Sequence, residues 1–164
     1  MKALVVYYSF EGDTKLIGDT IAEELGADIL ELKLVKEVTS KDYMKYYLGE
    51  KQVLMKTTPL LKEYEINLDN YETIIIGTPI WSGTYAPAIR SFLEQEEIKD
   101  KMIGLFYSFT VKAGLIAENF ARDLKGNCII AKIGFKDPLK YKPEMAIKRA
   151  KRWAQDMKAE YITK

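Results

Sequence analysis

Four short apolar runs and one alternating segment divide the chain into predicted strands. The runs are rich in β-branched and aromatic residues and read ALVVYY (3–8), TIIIG (73–77), MIGLFY (102–107) and CIIAKIGF (128–135). Continuous apolar runs of this kind are typical of strands buried on both faces of a sheet that helices cover. The segment DILELKL (28–34) alternates instead, with its leucines on one face, which predicts a strand near the edge of the sheet.

Between these runs, apolar residues recur with the spacing of amphipathic helices. The predicted helices cover 14–25, 86–95, 113–125 and 143–161. Gly26 follows the first of them and Gly126 the third, where glycine is a common helix terminator. Pro143 suits the first turn of the last helix, because its missing N–H is not needed there.

The alternation of strands and helices predicts the fold class. It indicates an α/β fold with a doubly wound sheet of five parallel strands, helices on both faces, and a single domain over residues 1–164. The segment 35–71 is the least regular part of the chain. Within it, KDYMKYYLGEKQVLMK (41–56) could form a helix, whereas TTPLLKEYEINLDNY (57–71) reads as irregular.

Composition excludes several classes of function. With 25 basic and 24 acidic side chains, the chain has no net charge that would favour nucleic acid or an anionic membrane. It has no histidine and one cysteine, Cys128, which leaves no His-paired nucleophile, no internal disulfide, no predicted catalytic residue and no metal site. We expect Cys128 to be a small buried residue of its strand. No apolar run reaches the roughly 20 residues that span a bilayer, so we expect a soluble cytoplasmic protein.

The loop after the first predicted strand has the character of an anion site. In open α/β sheets, ligands lie beyond the carboxyl ends of the strands, at the switch point of strand order. Here the loop SFEGDT places Ser9 and Thr14 beside the free N–H groups of a helix start, and Gly12 allows a close turn. This arrangement suits a phosphate. The alternative is an ordinary helix cap made by Asp13 or Thr14, since the loop has only one glycine and matches no Walker or dinucleotide motif.

The loops after the runs TIIIG (73–77) and MIGLFY (102–107) carry aromatic residues. In TPIWSGTY (78–85), Trp81 is expected in a turn, exposed, as a wall for a planar ligand; the alternative is an indole folded back onto the core. In the loop 107–113, Tyr107 and Phe109 stand among small and hydroxyl residues. Together with a phosphate site, these loops predict a mononucleotide with a large flat ring.

With these three loops the sequence resembles the flavodoxins. The phosphate loop of that family reads T/S-x-T-G-x-T, which Ser9, Gly12 and Thr14 fit, while Glu11 replaces the usual hydroxyl residue. The stretch IIIGTPIWSGTYAPAIRSFL resembles the second flavin-contacting loop and the helix after it. The resemblance covers nearly the whole chain and implies a flavodoxin-like fold with strand order 2-1-3-4-5, with FMN as the cofactor.

The resemblance also implies which residues contact FMN. The expected contacts are Ser9, Phe10, Glu11, Gly12, Asp13 and Thr14 at the phosphate, and Thr78, Pro79, Ile80, Trp81, Ser82, Gly83, Tyr107, Ser108 and Phe109 around the ring system. The carboxylates of Glu11 and Asp13 are expected to point away from the phosphate, because like charges would weaken binding.

The function implied by the resemblance is electron transfer in which FMN carries the chemistry. The expected partners are a reductase and an electron acceptor, both proteins, with the chain monomeric and neither nucleic acid nor membrane involved. The alternative is an NAD(P)H-dependent flavin or quinone reductase on the same scaffold, although the short 107–113 loop lacks a nicotinamide platform. A flavin-free interaction module is a third possibility. Lys112, near the expected pyrimidine edge, would raise the second reduction potential of a bound flavin.

Overall fold

The computed structural model describes residues 2–41 and 58–162 of the chain. Its strands, in chain order, are β1 (Ala3–Tyr7), β2 (Asp28–Glu31), β3 (Thr73–Trp81), β4 (Thr84–Tyr85), β5 (Met102–Phe109) and β6 (Cys128–Lys136). Its helices are α1 (Asp13–Leu25), α2 (Pro87–Gln95), α3 (Ile116–Asp123) and α4 (Pro143–Ile162), with a short 3₁₀ turn at Leu68–Asn70 before β3. The candidate helix 41–56 lies outside the described residues except for its first position.

Five parallel strands form the sheet in the order β2-β1-β3-β5-β6, which confirms the predicted 2-1-3-4-5 order. In the centre, Val5 of β1 pairs with Ile29 of β2 on one side and Ile75 of β3 on the other. A sixth strand, β4, pairs antiparallel with the end of β3 and was not predicted. The chain leaves β1 in one direction for β2 and crosses to the other side for β3, so the switch point lies between β1 and β3. Because the strands are parallel, the carboxyl ends of β1, β3 and β5 lie at the same edge of the sheet.

Helices cover both faces of the sheet, as predicted. Alternate residues of one strand serve opposite faces: Ile75 packs with α1 and α4, whereas Ile74 and Ile76 pack with α2 and α3. On the first face small residues of α4, such as Ala150, let it approach the sheet, while Phe92 of α2 fills the second. The two clusters bury the apolar strand residues that the sequence pattern identified.

The two edge strands differ from the central ones in burial. At β2 the alternation predicted from sequence is present, with Ile29 largely exposed and Leu32 and Leu34 buried beyond the strand end. The prediction that 128–135 is buried on both faces is wrong, because β6 is the other edge and only Phe135 is fully buried there. The burial predicted for Cys128 is wrong for the same reason, since it begins this edge strand and is exposed.

Three of the four helices begin and end within a residue of their predicted bounds. The third is shorter than 113–125, because Gly114 adopts a positive φ of 61° and the helix starts only at Ile116. Pro143 begins the last helix as expected. Within the part of the chain that the structure describes, no helix combines the length and apolar character that crossing a membrane requires.

Candidate functional site

The loop between β1 and α1 is arranged around the start of the helix. Gly12 is the residue before the helix and adopts a left-handed conformation with φ 99°, which favours glycine. The Ser9 hydroxyl accepts a hydrogen bond from the Lys15 N–H at 3.0 Å. The first N–H groups of any helix lack intrahelical acceptors, so those of Asp13 and Thr14 remain available to an anion. Neither Asp13 nor Thr14 caps the helix, as the alternative expected, and the side chain that accepts from its first turn is that of Ser9.

The polar side chains of the loop differ in their contacts. The Asp13 carboxylate accepts a hydrogen bond from the Leu139 N–H at 2.9 Å, which ties it to the segment before α4. Glu11 is exposed. The buried Thr14 hydroxyl lies 2.8 Å from the Ser108 hydroxyl, joining this loop to the end of β5.

Lys15, the basic residue in the first turn of α1, is bound to other side chains. The Lys15 ammonium lies 3.0 Å from Asp19 and 3.3 Å from Glu31, and it also donates to the Tyr7 hydroxyl. The hydrogen bond to Asp19, with that to Tyr7, raises the pKa of Lys15 above its usual range. The donors that the loop offers to an anion are therefore backbone N–H groups and hydroxyls.

A tight hairpin follows β3 and forms a second part of the site. Ser82 and Gly83 both have positive φ, 52° and 78°, the pattern of a two-residue type I′ turn, which suits the twist of paired strands. Gly83 accepts a hydrogen bond from the Leu115 N–H at 2.9 Å. A Cβ on Gly114 would lie 2.5 Å from the Gly83 Cα, so only glycine allows the two segments to approach so closely.

Trp81 lies at the last position of β3 and not in an exposed turn. The expectation of an exposed indole is wrong: the side chain is 3% exposed and belongs to the core cluster on the α2 and α3 face. Its ring meets Tyr8 and Phe10 edge-on, with ring centroids 5.8 and 5.7 Å away. The strand continues four residues past the predicted end at Gly77, which carries Trp81 into this aromatic cluster.

The end of β5 contributes the third part. Ser108 is buried beside Thr14, and Phe109 is half-buried at the pocket. Tyr107 points to the opposite face from Ser108, as alternation in a strand requires, and its ring lies close to Gly134 of β6. Thr110 donates a hydrogen bond to Asp137 at 2.8 Å, which holds the loop after β5 against the segment before α4.

The three parts enclose one pocket of about 350 Å³ at the carboxyl ends of β1, β3 and β5. Twelve of the fifteen predicted residues line it: Ser9, Phe10, Glu11, Asp13, Thr14, Pro79, Ile80, Trp81, Ser82, Gly83, Ser108 and Phe109. The other three do not. Gly12 shapes the loop from outside the lining, Tyr107 faces β6, and the buried Thr78 hydroxyl accepts from the Ala86 N–H at 2.9 Å and braces the hairpin.

The lining also includes three residues outside the predicted set: Thr110, Val111 and Lys112. Of these, Lys112 is the residue that the resemblance places near the pyrimidine edge of the flavin, whereas Thr110 and Val111 belong to no motif. The only indication of those two in the sequence is that they directly follow a central strand. Lys112 is exposed at this pocket and brings a positive charge to it.

Comparison with known proteins identifies the family. Residues 2–157 match the flavodoxin family. A flavoprotein of Lactobacillus acidophilus NCFM, solved in complex with FMN, is 25% identical, with 85% of this chain and 95% of that one aligned at a TM-score of 0.68. A flavodoxin from the domain Archaea aligns over 100% of both chains at a TM-score of 0.60 and 18% identity, which shows the shared fold.

A third similarity is to an enzyme. A protein of Bradyrhizobium sp. (strain BTAi1 / ATCC BAA-1182) named NAD(P)H dehydrogenase (quinone) is 34% identical over 97 residues, which are 57% of this chain. The match spans 46% of that relative, so the two proteins are compared over less than half of its length. The match to the family, by contrast, runs through all three loops of the pocket and nearly the whole chain. This protein belongs to the flavodoxin family.

Proposed function

We propose that this protein is an electron carrier that binds FMN in the pocket formed by the three loops. One observation carries the proposal: the start of α1, with its available backbone N–H groups, and the aromatic residues Phe10, Trp81 and Phe109 border the same pocket. Family membership and the FMN complex of the Lactobacillus acidophilus relative support FMN as the cofactor. Bound FMN supplies the capacity to accept and release one or two electrons.

The residues present fit FMN in chemistry and in space. The turn at Gly12 packs against Leu139, and a Cβ there would approach the Leu139 side chain to 3.2 Å, so the loop is closed on its outer side. On its inner side, the backbone N–H groups at the start of α1 and the hydroxyls of Ser9 and Thr14 would hold the phosphate. Phe109 and the edge of Trp81 would border the flavin ring, with Ser82 and Gly83 offering backbone groups to its polar edge.

The rim of the pocket suits contact with a protein partner. Val111 (67% exposed) lines the pocket beside Lys112, and two further exposed leucines, Leu115 (62%) and Leu139 (47%), donate backbone hydrogen bonds to the pocket residues Gly83 and Asp13. Exposed apolar residues grouped at a cofactor site are typical of interaction surfaces. We propose that a reductase and an acceptor dock here in turn, so that electrons pass over a short distance.

A titration tests the cofactor proposal. FMN is added to the apo-protein and the quenching of flavin fluorescence is followed, with riboflavin in parallel. We expect FMN to bind at least a hundredfold more tightly, because charge-assisted hydrogen bonds to a phosphate contribute about 1.5–3 kcal/mol each. Equal affinities would show that the α1 loop does not hold the phosphate.

The second candidate function is that of an NAD(P)H-dependent reductase, which the similarity to the Bradyrhizobium enzyme favours. Stopped-flow mixing of the FMN-loaded protein with NADPH and NADH separates the two. A carrier is reduced slowly unless a separate reductase is added. Reduction within the turnover time of a typical enzyme, about 0.1 s, would favour the reductase.

A further inference from the structure

The segment between β6 and α4, residues 137–142, does not line the pocket but contacts two of the loops that form it. The Leu139 N–H donates a hydrogen bond to the Asp13 carboxylate, at the start of α1, at 2.9 Å. The Asp137 carboxylate accepts a hydrogen bond from the Thr110 hydroxyl, in the loop after β5, at 2.8 Å. One short segment therefore connects the loop on the phosphate side of the proposed site with the loop that follows β5.

Several contacts fix the conformation of the 137–142 segment. The Asp137 N–H donates to the Phe109 carbonyl at 2.9 Å, and the Asp137 carbonyl accepts from the N–H groups of Lys140 and Tyr141, both at 3.0 Å. Asp137 and Lys142 have positive φ angles of 38° and 49°, a left-handed region that residues other than glycine enter at a cost. Such a conformation persists only where the surrounding structure holds it. The Asp137 side chain is thus presented to Thr110 by a defined turn.

The same segment contacts the α1 loop at a second position. A Cβ on Gly12 would lie 3.2 Å from Cδ1 of Leu139, so the leucine side chain packs against the turn of the loop. Leu139 thereby holds two successive residues of that loop. Its hydrogen bond engages the carboxylate of Asp13 and not the N–H group, so the backbone donors proposed for the phosphate stay available.

We infer that Asp137 is a positioning residue for FMN: through Thr110 it holds the loop 110–112 at the pocket, while Leu139 of the same segment holds the α1 loop. This inference rests on the proposed FMN site, because it concerns the affinity of that site. Anchoring both loops in advance lowers the ordering cost that binding would otherwise carry. Loss of the Asp137 hydrogen bond therefore weakens FMN binding, mainly through faster dissociation, although Asp137 does not line the pocket.

The test compares Asp137→Ala with Asp137→Asn, using FMN titration and stopped-flow measurement of FMN dissociation. Both changes remove the same charge, but asparagine keeps an oxygen that can accept from Thr110 and, like aspartate, tolerates a positive φ. We expect Asp137→Ala to lower the FMN affinity about five- to tenfold and Asp137→Asn to stay within about twofold of the wild type. Equal FMN affinities of the two variants overturn the inference.

Asp100→Ala is the matched control for charge and backbone strain. Asp100 also has a positive φ, 56°, but it precedes β5, whereas Thr110 follows that strand, and it does not line the pocket. Its replacement should leave the FMN affinity unchanged. A loss equal to that of Asp137→Ala would trace the effect to strain or charge and overturn the inference.

A double-mutant cycle separates positioning from direct contact, because Thr110 itself lines the pocket. Thr110→Val removes the hydrogen-bond donor, keeps the shape and changes no charge, so it also serves if Asp137→Ala fails to fold. If Asp137 acts through Thr110, a variant with both changes should bind FMN no more weakly than the weaker single variant. Additive losses would mean that the two residues act independently and would overturn the inference.

Hydrogen exchange of the apo-protein provides a measurement that needs no cofactor. The amide of Leu139, which is bonded to Asp13, should exchange faster in Asp137→Ala than in Asp137→Asn, because the segment is held at one end only. Equal exchange in the two variants contradicts the inference. If the wild type does not bind FMN, the proposed function fails together with the inference. If it binds FMN no more tightly than Asp137→Ala, the inference alone fails.

Discussion

The α1 loop and the β3–β4 hairpin line the same pocket but are held in place by different means. The turn of the loop is made locally, through Gly12 and the bond between Ser9 and Lys15, and Asp13 and Thr14 then fix it to Leu139 and Ser108. The hairpin depends on residues far along the chain, where Gly114 approaches Gly83 and Asn119 of α3 donates to Thr84 at 2.7 Å. A local motif can therefore be recognised in a sequence, whereas the position of the hairpin is a property of the packed fold.

The largest effect is expected where the hairpin meets the loop before α3. Gly114→Ala would place a Cβ 2.5 Å from the Gly83 Cα, in a left-handed backbone conformation. Overpacking of backbone against backbone costs about 1–3 kcal/mol and the strained φ about 1 kcal/mol more. We expect the free energy of unfolding in urea to fall by about 2–4 kcal/mol and the affinity for FMN to fall at least tenfold.

Gly126→Ala is the matched control for this change. Gly126 also has a positive φ, 88°, but a Cβ there meets nothing within 4 Å. Its cost should be limited to the backbone strain, about 1 kcal/mol, with FMN affinity unchanged. If both variants lose the same stability, the close approach of Gly114 to Gly83 does not hold the hairpin.

The next effect concerns the side chain that anchors β4 to α3. The Tyr85 hydroxyl donates to the Asp123 carboxylate, which Arg122 also contacts at 2.8 Å. Burial, reinforced by the hydrogen bond to Asp123, raises the pKa of Tyr85 to about 12. Tyr85→Phe should lower the free energy of unfolding at pH 7 by about 1–2 kcal/mol.

The pH dependence of this loss has a defined sign. Because the folded pKa of Tyr85 exceeds the unfolded value near 10, its contribution is fully present below pH 10 and is lost as the pH rises towards 12. The difference in unfolding free energy between the wild type and Tyr85→Phe should therefore shrink between pH 10 and pH 12. A difference that stays constant over this range would contradict the assignment.

A smaller effect on stability is expected in the α1 loop. Ser9→Ala removes the acceptor of the Lys15 N–H and should cost about 0.5–1.5 kcal/mol. FMN affinity should fall about tenfold or more, because a hydroxyl contact to a charged phosphate is lost, while riboflavin affinity stays the same. Thr20→Ala serves as the control, because it removes a hydroxyl of α1 that does not line the pocket. It should leave the affinities for FMN and riboflavin unchanged.

The smallest structural effect is expected at Lys112, which is exposed on the pocket lining. Lys112→Glu should leave the unfolding free energy within about 0.5 kcal/mol. A redox titration of the FMN-loaded protein should show the second reduction potential lowered by about 40 mV or more, equivalent to roughly 1 kcal/mol of charge interaction. Lys125→Glu, on the surface after α3, should shift the second reduction potential much less. Equal shifts in the two variants would show that the charge of Lys112 does not act on the flavin from the pocket.

The predictions from sequence that are wrong concern residues whose burial depends on a neighbouring strand or helix. The central strands and α1 could be identified from apolar runs and helical spacing, because buried strands and amphipathic helices impose those patterns. The run at 128–135 has the same pattern, yet it is an edge strand with Cys128 exposed. Trp81 resembled a loop aromatic because Pro79 precedes it and Gly83 follows, but β3 continues through that proline to pair with β5.

The sequence by itself determined the α/β fold and the loops that form the pocket, because periodicity, glycine position and helix starts act over short distances, whereas the strand order followed from the resemblance to the flavodoxins. Only the tertiary structure decided that Trp81 is buried and that Gly114 holds the hairpin. These features arise from contacts between segments that are distant in the chain. Burial and pairing are properties of both partners, and a sequence pattern reports on one segment at a time.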